Sequence, residues 1–82
     1  MRKNYFAIHD NLAEVFLTPV IFRSEGEAKR WFKTVINDKN NDVIYNNPND
    51  YELWCVGEWD EKEGIMIGNL HKIVDGRSLK ND

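Results

Sequence analysis

The chain has 82 residues, 41% of them hydrophobic and 30% charged, with a formal net charge of -3. That composition belongs to one folded domain rather than a disordered segment, and at this size a single core is only marginally stabilising, so a partner is expected to contribute. The acidic balance argues against a strongly electrostatic nucleic-acid binder, whose affinity would rest on Lys and Arg.

The charge is unevenly spread. Residues 1 to 41 carry seven basic and five acidic side chains, and residues 42 to 82 carry four basic and nine acidic. This asymmetry allows a local basic patch, or pairing between copies, under an overall negative sign. A lone Cys55, no glycosylation sequon and no N-terminal apolar stretch of signal-peptide length point to an intracellular chain. No apolar run reaches membrane-spanning length, so no membrane partner is expected.

In chain order, KNYFAIHDNLAEVFLTPVIF predicts a hairpin turning at Asp10-Asn11. A two-residue turn would set Ile8 against Ala13 and Phe6 against Val15 on one side, and Ala7 against Glu14 and Tyr5 against Phe16 on the other. SEGEAKRWFKTVIND predicts a helix with Ser24 as N-cap and Glu27 three residues on. Ala28, Trp31, Phe32, Val35 and Ile36 form one apolar stripe along it, and Lys29, Arg30 and Lys33 fall on the opposite side. The six asparagines between Asn37 and Asp50 favour turns, with Val43, Ile44 and Tyr45 as a brief extended or pinned segment.

YELWCVGEW and IMIG, joined by DEKEG, predict a second hairpin. Leu53 and Cys55 would face the helix while Glu52, Trp54, Val56 and Glu58 face away, and Gly57 would make room for a helix residue such as Trp31. The expected architecture is therefore α+β: a small antiparallel sheet in ββαββ order with one helix on one face. It forms a single domain over 1–68, and an extended or partly mobile tail occupies 69–82. A lone helix covers only one side of such a sheet, which leaves Tyr5, Phe16, Trp54 and Val56 as an apolar face to be covered by a second copy, by the C-terminal tail or by stacked single-stranded bases.

Chemical motifs are sparse. His9, His71 and Cys55 show no metal-ligand spacing, the five glycines make no phosphate loop, and no nucleophile lies in a catalytic pattern, so no cofactor, metal or enzymatic activity is expected. His9 reads as a turn residue and Cys55 as a small buried hydrophobe. Phosphate contacts, if made, would fall to Arg23, Lys29, Arg30 and Lys33, although these lie across the molecule from the aromatic candidates.

Three blocks carry a family resemblance: IHDNLAEVF, GEAKRWFKTVIND and PNDYELWCVGEWDEKEG. Asp10, Ala13 and Glu14 match the first; Gly26, Ala28, Arg30, Phe32, Asn37 and Asp38 the second; Pro48, Asp50, Tyr51, Leu53, Cys55, Gly57, Glu58 and Asp60 the third. The pattern resembles the small nonstructural protein of gokushoviruses, the single-stranded DNA phages of the microvirus group. His9 stands where that pattern has a tyrosine, and Asn49 where it has an acid. The resemblance implies a nonenzymatic early protein that binds DNA or controls the switch from duplex replication to single-strand synthesis and packaging. Joined to the open sheet face and its edge strands, it leads us to expect a weak single-stranded-DNA binder of the host bacterial cytoplasm that forms a homodimer or higher homo-oligomer. The alternative is an interaction module that binds a phage or host replication protein without touching DNA.

Overall fold

The computed structural model describes residues 2–81. Strand β1 (Arg2–Asp10) leads to the short strands β2 (Val15–Phe16) and β3 (Val20–Phe22), then to helix α1 (Glu25–Ile36). A single-turn helix α2 (Asp42–Asn46) and a 3-10 turn (Pro48–Asp50) precede the long strands β4 (Tyr51–Asp60) and β5 (Ile65–Asp75), and α3 (Gly76–Leu79) follows. All pairings are antiparallel: β1 and β4 lie in the centre, β5 flanks β4, and β2 and β3 follow one another along the free side of β1. The α+β class, the antiparallel sheet and the one long helix on one face agree with the sequence reading.

Helix α1 forms for local reasons. Ser24 has extended backbone and its Oγ accepts from the Glu27 N–H at 3.2 Å, satisfying one of the orphan donors of the first turn. Ala28, Phe32 and Ile36 are fully buried, and Trp31 and Val35 pack at the margin of the same core. The sheet meets this stripe with Phe6, Ile8, Leu53 and Cys55, paired across strands as Phe6 with Cys55 and Ile8 with Leu53. Along β4 the buried residues alternate as Tyr51, Leu53, Cys55 and Gly57, as the strand period requires.

Four expectations are corrected. The first hairpin turns over four residues, not two: Asp10 Oδ1 accepts from the N–H groups of Leu12 and Ala13, the Glu14 N–H donates to the Asp10 carbonyl at 2.8 Å, and Glu14 takes a left-handed φ of 60°. The register moves accordingly, so that Phe16 lies opposite His9, and Tyr5 lies opposite Ile21. The predicted second strand is split by Leu17–Pro19, because proline has no N–H to give the ladder.

Gly57 does not receive Trp31. A Cβ there would sit 2.8 Å from the Ile67 carbonyl oxygen of β5, whereas Trp31 packs on Phe22 with ring centroids 5.4 Å apart. Residues 43–45 are helical within α2 rather than extended. Residue 68 lies within β5, which runs as strand to Asp75 and is followed by α3.

That closing segment is tied to α1. Asn37 Nδ2 donates to the Leu79 carbonyl at 3.0 Å, the Asn81 N–H donates to Asn37 Oδ1 at 2.8 Å, and Lys80 Nζ donates to the carbonyls of Ile36 and Tyr45 at 3.2 and 2.9 Å. The ammonium also lies 3.1 Å from the Tyr45 ring centre. The end of α1, whose last carbonyls lack helical partners, is thereby satisfied from the far end of the described chain. These contacts lie on the helix side of the sheet, leaving the other side uncovered by the closing segment.

Candidate functional site

The uncovered side of the sheet is built by register. His9 lies opposite Phe16 on one side and Glu52 on the other, Trp54 lies opposite Ala7, and Lys72 lies opposite Trp54. Three rings consequently meet on this face. Phe16 stands edge-on to Trp54 with centroids 5.7 Å apart, and His9 lies 4.5 Å from Phe16 and 6.1 Å from Trp54. Phe16 is 43% exposed, so the cluster is an open platform.

The polar atoms beside the platform are already engaged. Trp54 Nε1 donates to Glu52 Oε1 at 3.0 Å, and Lys72 Nζ pairs with Glu52 Oε2 at 3.0 Å and with Asp75. Burial opposes ionisation of Glu52, yet the hydrogen bonds from Lys72, Trp54 and Asn11 outweigh it and hold the carboxyl below its usual range. Lys72 is shifted up, first by its bond to Asp75 and then by that to Glu52. His9 Nδ1 lies 2.6 Å from Asn11 Oδ1. What the face offers a ligand is therefore ring area rather than directed donors, which suits stacking or apolar contact without base readout.

Of the sequence-predicted aromatic and apolar candidates, the fold brings Phe16 and Trp54 together and leaves Tyr5 and Val56 apart from them. A register shift after Tyr5 sets it opposite Gly57, with Val56 as the extra residue of the bulge. His9 completes the cluster. Its alternation with Ala7 along β1 was the available signal, but it acquires meaning only with a four-residue turn that brings Phe16 alongside.

Arg23 just precedes α1, and Lys29, Arg30 and Lys33 line its exposed side; all four are exposed. Since α1 covers the opposite side of the sheet, cations and aromatic rings occupy different faces. Cys55 is buried, and burial, with lesser contributions from Glu58 and Glu25, pushes its thiol up. Among the described residues no three His, Cys, Asp or Glu side chains are placed to hold a metal ion. No helix among them is long and apolar enough to cross a membrane.

A family model described as Phage ORF5 protein matches residues 3–79. No curated protein and no solved structure matches the chain.

Proposed function

Because the chain belongs to the Phage ORF5 protein family, we propose that it is a nonenzymatic phage accessory protein of the gokushovirus nonstructural kind. It binds single-stranded DNA weakly and acts in the host cytoplasm in the control of viral DNA replication or packaging. The observation that carries this reading is the exposed row of Lys29, Arg30 and Lys33 on α1, with Arg23 at its entry.

Few cations and an acidic whole molecule imply a weak and salt-sensitive contact. At about 0.7 of a log unit in affinity per log unit of salt for each phosphate neutralised on a single strand, four contacts correspond to a slope of roughly -3. Two copies joined through the open sheet faces would bury Phe16 and Trp54 and turn both α1 rows outward, which accommodates cations and rings on opposite sides. The sheet edges suit this less. Pro19 interrupts one, and the pairing of β5 is irregular at two places along the other. The second reading, a protein-interaction module without DNA contact, draws on the same aromatic platform.

A labelled single-stranded oligonucleotide titrated at low and high salt separates the two. Binding that falls steeply with salt, and at least tenfold in Arg30→Glu with Lys33→Glu, supports the first. No binding at low salt leaves the second. Unchanged affinity in the double variant places the contact away from α1.

A further inference from the structure

At the end of the sheet where β1 leads into its turn, that turn and the helix α2 stand on either side of a groove. Its larger part has a volume of about 340 Å³ and adjoins a second hollow of about 240 Å³ that shares Asp10, Val43 and Tyr51 with it. Tyr51 forms a buried floor. Leu12 and Leu17 wall one side and Val43 the other, and these three aliphatic side chains are 81%, 39% and 65% exposed.

The rim has one sign of charge. Asp10, Asp42 and Asp50 line the two hollows, and no Lys, Arg or His does. Asp10 is held in place by the backbone N–H groups of Leu12 and Ala13, and the Asn11 N–H donates to the Asp50 carbonyl at 2.8 Å, which fixes the two rim segments relative to one another. The Tyr51 phenol on the floor is pushed up, first by burial and then by the charges of Asp10 and Asp50. The groove thus joins exposed aliphatic area to a negative field.

We propose that this groove docks a short cationic, apolar segment of a partner protein, seating one or two aliphatic side chains between Leu17 and Val43 while flanking Lys or Arg side chains meet Asp10, Asp42 and Asp50. The volume is at the low end for a small-molecule pocket, and fits side chains better than a cofactor. The carboxylates repel a phosphate backbone, so the occupant is not the nucleic acid. Charge complementarity sets orientation and encounter rate, and the aliphatic contact supplies affinity. This assignment is independent of DNA binding through α1.

The test uses the full chain, isotope-labelled, and a synthetic peptide alternating Lys with Leu. Two control peptides alternate Lys with Ser and Glu with Leu. The expected result is saturable movement of the amide signals of Leu17, Val43 and Tyr51 with the Lys–Leu peptide, and at least tenfold weaker binding of both controls. Val43→Lys and Asp42→Lys, both on exposed positions of α2, should weaken the Lys–Leu peptide tenfold or more while circular dichroism and melting stay as in the parent. Equal binding of the Lys–Ser control, movement confined to signals elsewhere, or unaltered affinity in both variants would overturn the proposal. So would the same amides moving on simple concentration of the protein, which would give the groove to a second copy, or on addition of oligo-dT, which would give it to DNA.

Discussion

Glu14 and Gly64 occupy equivalent places in two turns built alike. In each, an aspartate (Asp10 or Asp60) accepts from two following N–H groups through its side chain and from a third through its carbonyl, and the last turn residue takes a left-handed φ, 60° at Glu14 and 68° at Gly64. Only the second turn has the residue that adopts this conformation without steric cost. Glu14→Gly should therefore stabilise the fold by up to about 1 kcal/mol, offset in part by the greater freedom of glycine in the unfolded chain, and denaturant titration reads it. Gly76 is the opposite case. A Cβ there would lie 2.6 Å from the Pro48 carbonyl oxygen and 2.8 Å from that of Tyr51, so Gly76→Ala should cost about 1–3 kcal/mol. Unchanged stability would mean that the closing segment shifts freely on α1.

At the level of elements, the network on the open face couples β4 to β5 through Glu52 and Lys72. Glu52 titrates lower in the folded chain than in the unfolded one, so its contribution to stability is present above the unfolded carboxylate value and is lost as pH falls through the folded one. Lys72→Met should move the Glu52 titration, followed by carboxyl carbon shifts, upward towards the ordinary value, and should bring acid unfolding to a higher pH. The α1 terminus depends on a different lysine. Lys80→Met would leave the Ile36 and Tyr45 carbonyls without their ammonium donor and should cost about 1–3 kcal/mol, measured as a lower denaturant midpoint. Helix α1 and strand β4 were legible in the sequence because their signals are local: Ser24 before a stripe of period 3.6, and alternation from Tyr51 to Gly57. The first hairpin was misread because its length depends on a non-glycine residue at positive φ. The 43–45 segment was misread, and the residues after 68 show little pattern of their own, because Lys80, Asn37 and Gly76 place them through contacts between parts of the chain distant in sequence.

For the whole molecule, the four cations and, on the other side of the sheet, Phe16 and Trp54 were legible as separate groups, whereas the part of His9 was not, and the fold keeps cations and rings apart. The acid-rimmed groove was not legible, because it is assembled from the turn after β1, α2 and the start of β4, which meet only in the fold. A sheet-face dimer makes a prediction at this scale. Trp54→Ala should lower the sedimentation-derived mass at high protein concentration while leaving the salt-dependent oligonucleotide affinity of each protomer in place; a parent protein that is already monomeric at that concentration would remove the dimer from the account.

The irregular pairing of β5 with β4, where the register slips near Trp54 and again near Val56, carries a consequence for behaviour at high protein concentration. An uninterrupted strand on the rim of a sheet is a template on which further chains can add without end, as they do in amyloid fibres. Two breaks in phase along this rim, with a proline on the other, deny such growth a straight ladder, so that abundant synthesis should yield dissolved protein and not fibrils.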